Sequence, residues 1–189
     1  MAKTHQSLHL TRVPSPIGDM LLVTDGDILV SLDYSGYEHR MMQLLTKRYG
    51  TFSLSEHTRD NKGHQCLITH LSAYLDGDLT AIDNIPVNPG GTAFQAKVWQ
   101  ALRSIPAGTV VSYGDLARQL GNPAAVRAVG TTNGLNPISI VLPCHRVIGA
   151  NGKLTGYAGG LERKRWLLEH EGVALGQTPQ SQQLSLLEN

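Results

Sequence analysis

The stretch TVVSYGDLARQLGNPAAVRAVGTTNG, residues 109–134, decides the fold of the second half of this chain. Ser112 is a candidate helix N-cap, and Asp115 follows it at the spacing of a capping box. They predict a short helix, which a glycine ends. Asn122 then caps a second predicted helix, with Pro123 at its first position, where proline is favoured. The spacing therefore predicts a helix-turn-helix.

The next stretch, NPISIVLPCHRVIGANGKLTGYAGG (136–160), sets a nucleophile beside a base and a cation. A lone cysteine is most often a buried apolar residue, but Cys144 stands directly before His145 and Arg146. The thiolate is the reactive form of cysteine, and nearby cations favour it. On an extended strand adjacent side chains point to opposite faces, so we expect a bridging water between Cys144 and His145.

A third group should orient the histidine, and the predicted last helix, LERKRWLLEHEG (161–172), offers two carboxylates. These are Glu169 and Glu171. Glu171 stands beside the Gly172 that ends the helix, where an acid opposes the helix macrodipole. That misfit indicates a functional role for Glu171.

The first half of the sequence predicts an antiparallel sheet followed by helices. Asp25-Gly26 lies between two apolar runs in LLVTDGDILV and suits a type I′ hairpin turn. Apolar spacing predicts helices over 38–49 and 65–75. The Pro- and Gly-rich NIPVNPGGTAF marks a domain boundary, and Thr92 within it is the N-cap of the next helix.

Composition bounds the class of protein. The chain has 189 residues, of which 41% are hydrophobic and 16% charged, which excludes a disordered chain. No apolar run approaches the roughly 20 residues of a membrane span, and the N-terminus lacks the apolar core of a signal peptide. A cytoplasmic location with reduced thiols is therefore expected.

Charge is unevenly distributed along the chain. The net charge is +1, but residues 94–172 carry 9 Lys and Arg against 4 Asp and Glu, a balance of +5. This segment also holds Cys144. The excess indicates an anionic partner such as nucleic acid, or else an ordinary variation of surface charge.

Other polar side chains leave alternatives open. His64, Cys66 and His70 are close in sequence, but no fourth ligand stands at zinc-like spacing, so no metal is predicted. Arg127, among small residues, is either a solvated helix cation or a side chain that enters a nucleic-acid groove. Tyr113 is either a packing residue or a second groove contact.

Several of these motifs together resemble one known family. The motifs are Asn-Pro at 136–137, Pro-Cys-His-Arg at 143–146, Tyr-x-Gly-Gly at 157–160 and FQAKVWQALRSIPAGTVVSYGDLARQLGNPAAVRAVGTTNGLNP upstream. They closely resemble the O6-alkylguanine-DNA alkyltransferases, also called methylated-DNA–protein-cysteine methyltransferases, of the bacterial constitutive type. SPIGDMLLVTDGDILVSL resembles, more loosely, the opening hairpin of the family's N-terminal domain.

The resemblance implies an α+β fold in two domains. Residues 1–91 would form an N-terminal antiparallel sheet with helices, which is ribonuclease H-like. Residues 92–174 would form a helical, winged-helix-like DNA-binding and active-site domain, and residues 175–189 a flexible tail. The protein would be a monomer in solution, with no metal and no cofactor.

The resemblance also implies roles for four catalytic residues. Cys144 would be the nucleophile that accepts the alkyl group. His145 would act as its base through a water, and Glu171 would polarise His145. Asn136 would be the hinge between the helix-turn-helix and the active-site strand.

Other roles carried by the resemblance concern DNA and the substrate base. Arg127 would fill the gap left by a flipped guanine, and Tyr113 would assist flipping and donate a proton to the guanine ring. Tyr157 would line the base pocket, while the main chain at Cys144 and Val147 would read the guanine amine. The helix-turn-helix would enter the minor groove of double-stranded DNA.

Ala158 departs from part of the family. Several members have a serine after the pocket tyrosine, whose hydroxyl contacts the guanine oxygen. The Ala158 N–H can still donate, so only the side-chain bond is lost. The smaller side chain predicts a pocket that tolerates bulkier alkyl groups.

The implied activity is DNA repair by direct transfer of the alkyl group from O6-alkylguanine, and from O4-alkylthymine, to Cys144. Each molecule would react once, because water does not readily cleave a thioether. Two alternatives are a non-enzymatic winged-helix module that binds alkylated DNA and a cysteine hydrolase that turns over. The presence of Cys144 argues against the first, and the helix-turn-helix argues against the second.

Overall fold

The computed structural model describes residues 6–56 and 62–175. Its strands are β1 (Gln6–Val13), β2 (Met20–Asp25), β3 (Ile28–Tyr34), β4 (Phe52–Glu56), β5 (Val111–Ser112) and β6 (Val147–Ile148). Its helices are α1 (Glu38–Tyr49), α2 (Lys62–Leu75), α3 (Ala93–Arg103), α4 (Tyr113–Gln119), α5 (Val126–Gly134) and α6 (Leu161–His170). Within these residues no helix is long and apolar enough to cross a membrane. All but the first residue of the predicted tail, 175–189, lies outside the described residues.

The first half contains a four-stranded sheet in the order β3-β2-β1-β4. β2 is antiparallel to β1 and β3, as predicted, whereas β4 runs parallel to β1. The crossover that makes a parallel pair possible is α1, which spans the residues predicted for it. The mixed α+β architecture is therefore confirmed, with one parallel edge strand that the sequence did not reveal.

The β2–β3 hairpin is present, but its turn differs from the prediction. Asp25 pairs with Ile28, so the two central residues are Gly26 and Asp27. Gly26 has a φ of 58°, and Asp27 is not in the positive-φ region. A type I′ turn needs positive φ at both positions, so that turn type is wrong.

One apolar core joins the two halves of the chain. Leu32 and Tyr34 of the sheet share it with Leu102 of α3 and with Leu142 and Cys144 of the second half. The Leu32 N–H also donates to the Pro137 carbonyl over 2.9 Å, so the main chain of β3 is hydrogen-bonded to the segment that leads to Cys144. The other face of the sheet packs on α1. The domain boundary before Thr92 coincides with the N-cap of α3 and stays a prediction.

The two predicted DNA-reading helices are α4 and α5. Ser112 Oγ accepts from the Asp115 N–H, and Asp115 Oδ2 accepts from the Ser112 N–H, so the capping box is confirmed. Asn122 makes no capping bond, and that prediction is wrong. Its N–H is bonded to Ala117 O at the end of α4 and its φ and ψ are −136° and 79°, so a 3-10 turn at Pro123–Ala125 leads into α5 instead.

Candidate active site

The chain approaches Cys144 through two very tight turns. The Val141 N–H donates to Ser139 O over 2.8 Å across Ile140, whose φ is 68°. This is a γ-turn of the rare, strained hand, which a β-branched residue adopts only where its surroundings impose it. A second γ-turn, across Pro143, joins the Cys144 N–H to the carbonyl two residues before it over 2.7 Å.

The sequence predicted that Cys144 lies on a strand, and that prediction is wrong. Residues Cys144–Arg146 form a 3-10 turn, because the φ and ψ of Pro143, −78° and 65°, already bend the chain, and Arg146 N–H bonds back to Pro143 O. The strand begins one residue later as β6, which pairs with β5. This short pairing brings Tyr113, next after β5, into the same region as Cys144.

Asn136 clamps the segment of the γ-turns. Its Nδ2 donates to Leu142 O over 2.7 Å, and its Oδ1 accepts from the Ile138 N–H over 2.9 Å. Its main-chain oxygen accepts from Arg40 of α1 over 2.8 Å. Asn136 thus lies between α5 and the Cys144 segment, the position expected of the predicted hinge.

A buried network surrounds Glu171, directly after α6. Glu171 Oε1 lies 2.9 Å from His145 Nε2 and accepts from Tyr74 of α2 over 2.7 Å. Arg146 donates to both carboxylate oxygens, over 2.9 and 2.8 Å. Glu169, the other carboxylate considered, is exposed and faces Arg165 at 4.0 Å. Of the two candidates, only Glu171 contacts His145.

Electrostatics fix the protonation state of this pair. Burial by itself would raise the pKa of Glu171, but the hydrogen bonds from His145 and Arg146 and the charge of Arg146 outweigh it and hold the pKa far below its usual value. Burial also lowers the pKa of His145, against the pull of Glu171. A neutral imidazole beside an ionised carboxylate must carry its proton on Nε2, because the carboxylate can only accept.

The other ring nitrogen of His145 is therefore a lone-pair acceptor. Nδ1 is buried and has no hydrogen-bond partner within the described part of the chain. Burial raises the pKa of the Cys144 thiol, although a hydrogen bond from Asn136 and the charges of Lys164 and Arg40 act in the opposite direction. A thiol that stays protonated at rest needs a base, and a neutral histidine with a free lone pair can serve as one.

Lys164 is a part of this site that sequence reasoning missed. It is fully buried on α6, and its Nζ donates to Val147 O and Thr155 O over 2.6 and 2.7 Å. Burial lowers its pKa to about 8. The sequence contained a sign of this burial. Lys164 stands three and four residues before the buried Leu167 and Leu168, on the apolar stripe of the helix.

The predicted DNA and substrate residues lie at different depths. Arg127 is exposed on α5, and Tyr113 is half-buried at the start of α4, its hydroxyl 3.4 Å from Thr155 O. Val147 is fully buried, and Tyr157 is buried with its hydroxyl 2.8 Å from that of Tyr34. Ala158, next to it, is half-buried.

The histidine and cysteine cluster of α2 has another use. His64 is buried, and its two ring nitrogens lie 2.7 and 2.5 Å from the hydroxyls of Thr11 and Thr24, which ties α2 to the sheet. Cys66 is exposed. Among the described residues no group of three or more His, Cys, Asp or Glu could hold a metal. The expectation of no metal and no cofactor stays a prediction.

Comparison with known proteins identifies the family. Residues 93–173 match the model of the 6-O-methylguanine DNA methyltransferase, DNA binding domain. The methylated-DNA–protein-cysteine methyltransferase of Salmonella typhimurium is 50% identical over 165 residues, which cover 87% of this chain and 95% of that one. The enzyme of that name from Mycobacterium tuberculosis is 44% identical over 164 residues, 87% of this chain and 92% of the relative.

Solved structures agree with the sequence relatives. The crystal structure of Mycobacterium tuberculosis OGT in complex with DNA superposes with a TM-score of 0.71 at 40% identity, covering 86% of this chain and 92% of that chain. The O6-methylguanine-DNA methyltransferase of Pyrococcus kodakaraensis gives 0.65 at 26% identity, covering 88% and 99%. With this extent of identity over nearly the whole length, and with Cys144, His145 and Glu171 brought together, the chain belongs to the methylated-DNA–protein-cysteine methyltransferase family.

Proposed function

We propose that this protein repairs DNA by transferring the alkyl group of O6-alkylguanine, and of O4-alkylthymine, to its own Cys144 in a single turnover. The observation that carries the proposal is the buried His145–Glu171 hydrogen bond next in sequence to the buried Cys144, in a member of this family. These three residues supply a thiol, a neutral base beside it in sequence and a carboxylate that fixes the tautomer of that base.

In the proposed reaction, His145 Nδ1 takes the proton of the Cys144 thiol through a bridging water. The thiolate sulfur attacks the alkyl carbon, a carbon–sulfur bond forms, and the bond from that carbon to O6 of guanine breaks. The electron pair stays on guanine, which is stabilised as it takes a proton from Tyr113. The proton on His145 then passes through water to the Tyr113 oxygen, so the net products are the thioether on Cys144 and unmodified guanine. Glu171 favours the cation formed on His145, since its own pKa is already held low.

DNA would be bound as a duplex through its minor groove, by a monomer. A base inside a duplex cannot reach a buried sulfur, so the damaged nucleotide must be flipped out, at a cost of a few kcal/mol. Arg127, exposed on α5 among small residues, would fill the gap, and Tyr157, Ala158 and the main chain of Val147 would surround the base. The excess of basic residues in this half supports contact with phosphates.

The test is the intact mass of the protein after it is mixed with a duplex that contains one O6-methylguanine. We expect one added methyl group per protein, saturating at one equivalent and located on the peptide of Cys144. Cys144→Ser should show no mass change. Cys66→Ser, at the exposed cysteine of α2, should react like the wild type.

Other outcomes separate the alternatives. Tight binding of the modified duplex with an unchanged mass would indicate a damage-binding module. Release of more than one equivalent of product with an unmodified protein would indicate a cysteine hydrolase.

A further inference from the structure

The first half of the chain contributes a hydroxyl to the region of Cys144. Tyr34, the last residue of β3, is fully buried, and its hydroxyl oxygen lies 2.8 Å from that of Tyr157. The two ring centroids are 6.4 Å apart and tilted by 57°. A residue 123 positions away in sequence is therefore a direct hydrogen-bond partner of the proposed pocket tyrosine, which also bonds the nearby Ser139 side chain.

Tyr34 is itself held firmly. The Arg163 guanidinium of α6 lies 4.6 Å from the centre of its ring, a cation–π contact. Arg163 is fixed in turn by hydrogen bonds to Ile17 O and Gly159 O, over 2.7 and 2.8 Å. A side chain anchored in this way can impose an orientation on its partner.

The space around the two tyrosines is tightly filled. A Cβ added at Gly159 would lie 2.5 Å from the Tyr34 ring and 2.8 Å from the Tyr157 ring, so only glycine fits between them. Both rings belong to the apolar cluster that contains Cys144. Burial is the main reason that the pKa of both phenols is raised, so they are neutral hydrogen-bonding groups rather than acids.

We propose that Tyr34 is a specificity-determining residue that, through its hydroxyl, fixes the Tyr157 side chain and so limits the size of alkyl group that can lie against Cys144. This rests on the function proposed above. Tyr34 touches neither sulfur nor substrate in this scheme, so it is a positioning residue. Without the Tyr34 hydroxyl, the Tyr157 side chain is freer to turn away from Cys144. The rate of transfer of a bulky alkyl group should then rise more than the rate of methyl transfer.

The experiment compares Tyr34→Phe with Tyr37→Phe. Tyr37 is the matched control, because its ring faces the same Arg163 at 5.6 Å while its hydroxyl lies near Gly160 instead. Single-turnover rate constants are measured on two duplexes, one with O6-methylguanine and one with O6-benzylguanine. We expect the benzyl-to-methyl ratio to rise roughly threefold to tenfold in Tyr34→Phe, the factor that corresponds to one hydrogen bond. The ratio should stay within about twofold of wild type in Tyr37→Phe.

A purely structural role predicts a different result. It would lower both rate constants of Tyr34→Phe together and leave their ratio unchanged, which would overturn the proposal. Tyr157→Phe removes this hydrogen bond together with the one between Tyr157 and Ser139 and should shift the ratio in the same direction, so it also serves if Tyr34→Phe folds poorly. The double variant should shift the ratio no further than Tyr157→Phe alone, and additive shifts would also refute the idea. If the wild type transfers neither group, the proposed function itself has failed.

Discussion

At the scale of single residues, the site depends on Glu171 as an anion among donors. Tyr74, His145 and Arg146 all direct hydrogens at its two oxygens. A glutamine of the same shape would replace one of these accepting oxygens by an NH2 group, whose hydrogens would face the hydrogens of the neighbouring donors. The carboxylate is therefore needed both to hold the network and to keep His145 in the tautomer with a free Nδ1.

We expect Glu171→Gln to slow methyl transfer by roughly 10-fold to 100-fold and to destabilise the fold by about 2–4 kcal/mol at neutral pH. The pKa of Glu171 is lower in the folded state than its ordinary 4.5. Its contribution is therefore present above about pH 4.5 and is lost as pH falls toward the folded-state pKa. The difference between the two unfolding free energies should shrink from pH 6 to pH 3, as urea titrations would measure. Glu169→Gln, at the exposed carboxylate, should match the wild type, and an equal loss there would contradict the assignment.

Lys164 should change the free energy of unfolding at alkaline pH, whereas Glu171 changes it at acidic pH. Its pKa is about 8 in the folded state against an ordinary value of 10.5, because burial disfavours the charged form. Between these values the unfolded chain binds one proton more than the folded one, so this group makes the wild type more stable as pH rises. Lys164→Met lacks the effect, while every other titrating group is common to both proteins.

The unfolding free energy of the wild type, relative to Lys164→Met, should therefore rise from pH 8 to pH 10, by about 2 kcal/mol in total. Urea unfolding at four pH values measures it. The exposed Lys153→Met is the control for the loss of a surface lysine, and its unfolding free energy should stay within about 0.5 kcal/mol of the wild type. A flat difference for Lys164→Met would mean that the lysine keeps its ordinary pKa.

At the scale of elements, the N-cap of α4 matters most, because it leads directly into Tyr113. Ser112→Ala removes the capping bond to the Asp115 N–H and should cost about 1 kcal/mol. Asn122→Ala removes a side chain that caps nothing and should cost less than about 0.5 kcal/mol. Denaturant titrations of the two variants compare them directly. Equal losses of unfolding free energy in the two variants would show that Asn122 does cap the second helix.

The segment between α5 and Cys144 is the other decisive element. Two γ-turns and a 3-10 turn between Ser139 and Arg146 fold the chain so tightly that Asn136, just before the first turn, reaches the carbonyl of Leu142. Ile140 alone among the described non-glycine residues has positive φ, and it is fully buried. Its strain is thus imposed by packing around it, and the geometry of Cys144 is set by tertiary contacts.

At the scale of the whole molecule, the two halves are joined at three points of the site. Tyr74 bonds Glu171, Tyr34 bonds Tyr157, and Arg40 bonds the Asn136 carbonyl. The core beneath them is continuous. The first half therefore positions catalytic groups of the second, although its resemblance to the family was the looser one.

We expect the two halves to unfold together in a single transition. Trp99 and Trp166 both lie in the second half, Trp99 in the core shared with the first half, so tryptophan fluorescence reports on the second half and on that core. Far-UV circular dichroism also reports on the sheet and on α1 of the first half. The two urea curves should coincide. Separate midpoints would show that the halves are independent domains despite the shared core.

The secondary-structure elements and the reactive groups could largely be predicted from local sequence patterns. The caps at Thr92 and Ser112, the α1 and α6 patterns, the position of the hairpin and the Pro-Cys-His-Arg motif depend on neighbours within a few residues, so local physical chemistry was enough to predict them. The cap at Asn122 and the turn type of the hairpin were predicted wrongly. The resemblance added the roles of Cys144, His145, Glu171 and Arg127. The misfit of an acid at a helix end had favoured Glu171, while Glu169 stayed a candidate beside it.

The contacts that those groups make depend on how the chain packs. The parallel edge strand, the positive φ of Ile140, and the partners Tyr74 and Tyr34 arise from contacts between residues tens of positions apart. Such contacts leave no periodic trace in a single sequence, because an isolated buried tyrosine looks like any other core residue. Burial, which sets the pKa of Cys144, His145 and Lys164, is likewise a property of the packed fold rather than of local sequence.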